Sequence, residues 1–103
     1  MRTRGGRAEM AGDWTDQYPD AVFDLHGQSV TEAATNALRF LKAQAKARPG
    51  AVVRIVTGRG RAGGGAPIRT RVRTLLRTER DNGATVADYF LEDSEGSFLI
   101  RLR

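Results

Sequence analysis

The run at residues 51–56, AVVRIV, constrains the fold of this chain more than any other feature. It is rich in β-branched residues and almost continuously apolar, which is typical of a central strand buried on both faces. Amphipathic segments with helical spacing precede and follow it. A buried strand between two such helices predicts an α/β fold in which part of the sheet is parallel and the helices pack against it.

Residues that begin or end helices and strands predict the elements of the first half of this fold. Residues 21–25 form a short apolar run before Gly27 and predict the first strand. Ser29 and Glu32 have the spacing of a capping box, so a helix is expected to begin there and to end near Pro49. This helix would connect two parallel strands.

The second half begins with a glycine-rich loop. Pro67 stands where the first turn of a helix favours proline. Residues 85–91 and 98–102 predict two strands, which must be antiparallel because the acidic turn between them is too short for a parallel crossover. The predicted order is β-α-β-α-β-β, a two-layer sandwich of a four-stranded mixed sheet and two helices.

The chain has 103 residues, which suits a single domain. Residues 1–20 lack hydrophobic periodicity, so we expect a flexible N-terminal arm, with Trp14 and Tyr18 docking near its end, and a folded domain over residues 21–103.

The absence of cysteine excludes disulfides, thiolate metal sites and a cysteine nucleophile. No apolar run reaches the roughly 20 residues that span a bilayer, and no secretory signal is present. We therefore expect a cytoplasmic protein without membrane contact, and a monomer.

Positive charge is concentrated in one part of the chain. The net charge is +5, and 15 of the 17 basic residues are arginines. Residues 57–80 carry seven arginines against one acid, whereas residues 81–103 carry five acids and two arginines. Such a patch attracts phosphate backbones. Arginines recur three or four residues apart on one face of the second helix, and we expect nucleic-acid contacts from three of them: Arg69, Arg73 and Arg77.

Asp24 and His26, the only histidine, lie at the end of the first strand. Residues two apart in an extended chain point to the same side, here at the edge where open α/β sheets place ligands. A carboxylate in this position can orient the imidazole, raise its basicity or hold a metal ion. The alternative is that Asp24 caps a turn and His26 is an ordinary polar residue.

The glycine-rich loop at residues 57–65 is the second candidate site. Its backbone N–H groups could hold an anion. It is not a Walker A loop, because no G-K-[ST] follows, and its match to the dinucleotide fingerprint follows the second strand and lacks the expected acid. We expect it to contact the phosphates of a polynucleotide through Thr57, Gly58, Gly60 and Arg61. The alternative is that its glycines serve only to turn the chain.

Two motifs point to a known family. Residues 23–27, FDLHG, resemble the L-D-x-H-G signature that opens small MutS-related (Smr) domains, and residues 56–60, VTGRG, resemble their second signature, T-G-[KR]-G. The apolar positions of the second helix and the closing segment at 96–102 fit the family as well. The resemblance covers residues 21–103. It implies a sandwich similar to the C-terminal domain of a bacterial translation initiation factor.

The resemblance also implies an activity. Smr domains nick DNA or cut RNA, in some members on stalled ribosomes, so a structure-selective endonuclease acting in DNA repair, recombination or RNA surveillance is expected. By analogy His26 would be a general acid or base, Asp24 would orient it or hold Mg²⁺ or Mn²⁺, and Arg59 would stabilise charge in the transition state. No organic cofactor is expected. An RNA substrate could supply its own 2′-hydroxyl as nucleophile, whereas DNA would need an activated water, so both substrates stay open.

One departure from the family pattern concerns the loop. Many members have a polar segment such as H-S after the second signature, where this chain has AGGG at residues 62–65. Two alternatives to an endonuclease therefore remain. One is a non-catalytic module that binds DNA, RNA or the ribosome through its basic face, and the other is an interaction domain that docks on an acidic protein.

Overall fold

The strands and helices follow the predicted order. A computed structural model describes residues 11–58 and 65–103 of the chain. After a short 3₁₀ helix at Ala11–Asp16, the elements are β1 (Ala21–Asp24), α1 (Val30–Ala47), β2 (Val52–Val56), α2 (Gly65–Asp81), β3 (Val86–Leu91) and β4 (Ser97–Leu102). The predicted β-α-β-α-β-β fold, with two helices and a four-stranded mixed sheet, is confirmed.

The sheet has the order β1-β2-β4-β3. β1 and β2 are parallel, whereas β4 runs antiparallel to both β2 and β3. β2 is therefore a central strand, as its apolar sequence predicts, and the carboxyl ends of β1 and β2 meet at one edge of the sheet. Because β4 is antiparallel, the turn between β3 and β4 lies at this same edge.

Helix α1 begins where the capping box predicts. The Ser29 hydroxyl accepts a hydrogen bond from the backbone N–H of Glu32, and the Glu32 carboxylate accepts one from the backbone N–H of Ser29, both at 3.1 Å. Ala33, Ala37 and Leu41 recur every four residues and are completely buried. The two alanines have small side chains, so this side of α1 packs directly against the sheet.

The two helices divide one face of the sheet between them. Phe40 of α1 stacks on Phe23 of β1, with ring centroids 5.0 Å apart. Arg73 of α2 lies over the ring of Phe98 in β4, and the main core cluster forms between the helices and the strands. α1 therefore covers the β1 side and α2 covers the β4 and β3 side. No helix within residues 11–58 and 65–103 is both long and apolar enough to cross a membrane.

Trp14 covers part of the other face of the sheet. It is 9% exposed and packs with Val52, Leu99 and Phe90 in a second, smaller apolar cluster. Its ring meets that of Phe90 edge-on at 5.8 Å. Part of the arm expected over residues 1–20 is thus a short helix docked on the sheet through its tryptophan, whereas Tyr18 is 95% exposed.

We expect Trp14→Ala to destabilise the domain and Tyr18→Ala to leave its stability nearly unchanged. Loss of a buried tryptophan from an apolar cluster should lower the free energy of unfolding by about 3 kcal/mol, whereas loss of an exposed aromatic should change it by less than about 0.5 kcal/mol. Urea unfolding of both variants measures the difference. Equal effects of the two substitutions would contradict docking by Trp14.

Candidate functional site

The turn that carries His26 is anchored by the residue between Asp24 and His26. Leu25 is completely buried, and its backbone N–H donates to the carbonyl of Val56 at 2.8 Å, which continues the pairing of β1 with β2. Its own carbonyl accepts from Gln28 and closes a turn. The side chains on either side of it, Asp24 and His26, are exposed at the sheet edge.

Asp24 acts on the backbone of His26. Its Oδ1 atom accepts a hydrogen bond from the His26 backbone N–H at 2.8 Å. Short bonds of this kind, between an aspartate and the backbone two residues on, stabilise turns. This bond differs from the contact with the imidazole ring that the sequence suggested, because His26 lies in the turn beyond the strand. Asp24 therefore positions the segment that presents the exposed histidine.

Gly27 follows with φ at +87°, a left-handed backbone conformation that glycine adopts without strain. A Cβ atom built at this position would meet nothing within 4 Å. The left-handed conformation, and not the space around the residue, therefore requires glycine here.

A single carbonyl organises the end of β2. The Gly96 oxygen accepts hydrogen bonds from the backbone N–H groups of Thr57 at 2.8 Å and Gly58 at 3.0 Å. Thr57 is completely buried, and its hydroxyl lies 3.2 Å from the Gly58 oxygen and 3.4 Å from the Gly96 oxygen. These donors are engaged within the protein. The phosphate contacts predicted for Thr57 and Gly58 would therefore require these bonds to be exchanged.

Three predicted site residues, Arg59, Gly60 and Arg61, lie outside the residues that the structure describes. Their roles in transition-state stabilisation and phosphate binding stay predictions from the sequence. The described residues on either side of them are Gly58, whose backbone N–H is bonded to Gly96 at the sheet edge, and Gly65, at which α2 begins.

Three arginines of α2 contact β4, β3 or the turn between these two strands. Arg69 donates to the backbone oxygen of Glu95 at 3.1 Å. The Arg73 guanidinium lies 6.0 Å from the centre of the Phe98 ring, and Arg77 is exposed one turn further on. Arg80 lies 4.9 Å from the Tyr89 ring and also forms ion pairs with acids, so much of its charge is compensated.

The described candidate residues lie beside neighbouring strands of the sheet. The Asp24–His26 turn follows β1, the Thr57–Gly58 segment follows β2, and the α2 arginines lie beside β4 and β3. Neighbouring strands lie about 4.8 Å apart, so the edge from β1 to β3 spans roughly 14 Å. A small ligand could not reach from one end to the other. The arrangement suits a chain-like anion that crosses several strands.

Sequence reasoning missed an ion pair on the opposite face of the sheet. The Arg54 guanidinium donates to both carboxylate oxygens of Glu92, at 2.8 and 2.9 Å, and the Ser97 hydroxyl donates to the same carboxylate at 2.6 Å. The hydrogen bond from Arg54 holds the pKa of Glu92 below its usual value, against the effect of partial burial. An arginine inside the apolar run at 51–56 was the signal in the sequence. This pair ties the β3–β4 turn to β2.

Metal binding was predicted only at Asp24. Among the described residues, no group of three or more histidine, cysteine, aspartate or glutamate side chains lies close enough to hold a metal ion. Mg²⁺ often binds through one or two carboxylates together with substrate phosphates and water. Asp24 is exposed and fits a site of this kind, in which the substrate supplies further ligands.

The fold and this edge define a compact α/β domain with an exposed acid–histidine turn after β1 and the Thr57–Gly58 segment after the neighbouring strand β2. Residues 23–103 match the Smr domain family, and the chain belongs to that family. It is thereby a module of nucleic-acid-binding or nuclease type. The Smr domain of Thermus thermophilus MutS2 has a similar fold, with a TM-score of 0.65 and 24% sequence identity over 81% of this chain and 98% of that one. The comparison with curated proteins gave no match.

We expect Glu92→Gln to lower the free energy of unfolding by about 1 kcal/mol at neutral pH, since the Arg54–Glu92 pair is partly exposed. The folded-state pKa of Glu92 is lowered, so its contribution is present above the unfolded pKa and is lost as pH falls through the folded pKa. Urea unfolding at about pH 7 and about pH 3 should show the gap between wild type and variant closing in acid.

Asp93→Asn is the matched control, because Asp93 is an exposed acid in the same turn. It should change stability by less than about 0.5 kcal/mol at both pH values. A difference between wild type and Glu92→Gln that persists unchanged in acid would contradict a stabilising role for the ionised carboxylate.

Proposed function

We propose that this domain binds the phosphate backbone of nucleic acid across the sheet edge and cleaves a phosphodiester bond there, with His26 as the acid–base group. The observation that carries the proposal is an exposed histidine, fixed by a capped turn, at the edge where the basic loop begins. Membership of the Smr family supports a nucleic-acid substrate. A structure-selective nick fits the site, because nothing described at the edge reads bases.

The chemistry would proceed by in-line displacement at phosphorus. An oxygen nucleophile attacks, the bond to the leaving oxygen breaks, and one proton moves from the nucleophile to the medium while another reaches the leaving group. His26 can perform one of these transfers. Its position beyond the strand, with the ring exposed, lets a phosphate approach without disturbing the core. The nucleophile is a water molecule for DNA, or the 2′-hydroxyl for RNA.

The other groups would bind and orient the substrate. Asp24 keeps the His26 backbone in place through its 2.8 Å hydrogen bond. A bound Mg²⁺ or Mn²⁺ would polarise the phosphate and lower the pKa of a bound water. Arg59, at the start of the loop, would stabilise the developing negative charge. Arg73 and Arg77 would hold the backbone beyond the reacting phosphate without reading its sequence.

We expect His26→Ala to reduce cleavage of labelled DNA or RNA by about 100-fold or more while changing affinity only slightly. Supercoiled DNA, branched DNA and single-stranded RNA, each with Mg²⁺, Mn²⁺ or chelator, would identify the substrate. Cleavage that persists in His26→Ala would contradict the assignment of His26 as the acid–base group.

Two substitutions at Asp24 separate its possible roles. Asp24→Asn keeps an oxygen that can accept the His26 N–H but removes the charge, whereas Asp24→Ala removes both. If the residue acts by positioning His26, the asparagine variant should retain most activity and the alanine variant should lose it. Equal loss in both variants would show that the charge itself is needed, as for a metal ligand.

A second function is favoured by a specific observation. The Asp24 carboxylate is bonded to the backbone, so no described contact ties an acid to the imidazole. The domain would then be a non-catalytic module that binds DNA, RNA or the ribosome through its basic surface. Salt-sensitive binding by wild type, without cleavage of any substrate, would establish this alternative and exclude the endonuclease.

We expect Arg73→Gln/Arg77→Gln to weaken nucleic-acid binding under either function. Each lost phosphate contact should reduce the slope of log affinity against log salt concentration by about 0.9 for duplex DNA. Fluorescence anisotropy at several salt concentrations measures both quantities. Arg80→Gln is the control, because its charge is compensated by Asp81 and Asp88, and it should have a much smaller effect. An equal effect of the two variants would contradict a localised contact.

A further inference from the structure

The outer side of α1 carries a second group of basic residues, which the proposed function does not use. Arg39, Lys42 and Lys46 are exposed and recur at intervals of three and four residues, so they lie along one side of the helix. The buried residues of α1 lie on its opposite side, against the sheet: Ala33, Ala37 and Leu41. The basic group therefore points away from the core.

These three charges are not compensated within the described part of the protein. None of Arg39, Lys42 and Lys46 takes part in the ion pairs found among the described residues, which include those of Arg54 and Arg80. α1 itself contains one acid, Glu32, and its carboxylate accepts the Ser29 backbone N–H in the helix cap. An uncompensated row of cations produces a local positive potential that attracts a polyanion.

The basic side of α1 lies apart from the sheet edge that carries His26. The helix starts near that edge at Val30 and runs away from it with a rise of about 1.5 Å per residue. Arg39 is therefore about 14 Å, and Lys46 about 24 Å, along the axis from the start of the helix. One strand of a duplex carries a phosphate every 3.4 Å or so of axis. A backbone held here is several base pairs from the bond at His26.

This surface is also separate from the α2 arginines. α1 covers the β1 side of the sheet through the Phe23–Phe40 stack, whereas Arg73 and Arg80 lie over rings of β4 and β3. Arg39 and Lys42, with Thr35 and Leu38, line a cleft of about 310 Å³. The cleft offers charge, a hydroxyl and an apolar side chain, which together suit a sugar–phosphate backbone.

We propose that the outer side of α1 binds the phosphate backbone of duplex nucleic acid several base pairs away from the bond held at His26. The inference rests on the proposed function only in that the ligand is nucleic acid, not in that it is cut. A duplex is favoured over a single strand because the described outer side of α1 has no exposed aromatic ring on which bases could stack. The substrate class is therefore one with a helical arm extending beyond the cleavage site.

The test compares two double variants that each remove two positive charges. Arg39→Gln/Lys42→Gln alters the α1 surface, and Arg101→Gln/Arg103→Gln alters exposed arginines of the last strand and its end. Binding of duplexes of about 8 and about 24 base pairs is measured by anisotropy against salt concentration. Circular dichroism confirms that both variants are folded.

We expect the α1 variant to bind the longer duplex roughly tenfold more weakly than wild type, with a salt slope lower by about 1.8. The shorter duplex is only about 27 Å long and can contact the edge and α1 together in few registers, so it should show a smaller loss, and the control variant should lose little on either. Equal losses in the α1 and control variants would mean a general charge effect and would overturn the proposal, as would unchanged binding by the α1 variant.

Other outcomes separate this inference from the proposed function. Polyglutamate serves as an acidic polypeptide, and if the α1 variant loses affinity for it but not for duplex, the partner is an acidic protein and the nucleic-acid assignment is wrong. Wild type that binds and does not cut would remove the endonuclease and leave the α1 site standing. Wild type that binds no nucleic acid at all would overturn both.

Discussion

The carbonyl oxygen of Gly96 holds together the parts of the chain from which the site is built. It accepts the backbone N–H groups of Thr57 and Gly58, which joins the end of β2 to the start of β4. β1 pairs in parallel with β2, and the bond from the Leu25 N–H to the Val56 carbonyl extends this pairing to the Asp24–His26 turn. On the other face, the Arg54–Glu92 pair ties the β3–β4 turn to β2. Backbone and side-chain contacts thus both hold the β3–β4 turn against the end of β2.

The residues that fix the shape of this edge differ from those whose charges face solvent. Thr57 and Gly58 are occupied by internal hydrogen bonds, and Asp24 caps the turn that presents His26. Charged groups that face solvent lie elsewhere, on α2 and along the outer side of α1. In the proposed function, this internally bonded edge would orient one phosphate at His26, while the exposed cations attract the rest of a polyanion at longer range.

The sequence predicted the elements that carry the candidate site but not all of the hydrogen bonds within it. The order of elements, the capping box at Ser29 and the central position of β2 followed from periodicity, because each is a local property of the chain. The bond from Asp24 to the His26 backbone could not be distinguished from a contact with the ring, since both need an acid two residues before the histidine. The engagement of Thr57 was also hidden, because its partner Gly96 is 39 residues away.

The sequence alone therefore determined the family, the α/β architecture, the single exposed-edge histidine and the concentration of arginines in one segment. The tertiary structure decided which hydrogen-bond donors are already bonded within the protein and where the basic side chains lie relative to His26. It placed α1 and α2 over different halves of the sheet, so that their basic residues form two surfaces. The physical reason is that periodicity records which side of each element is buried, whereas strand order and long-range hydrogen bonds decide which elements become neighbours.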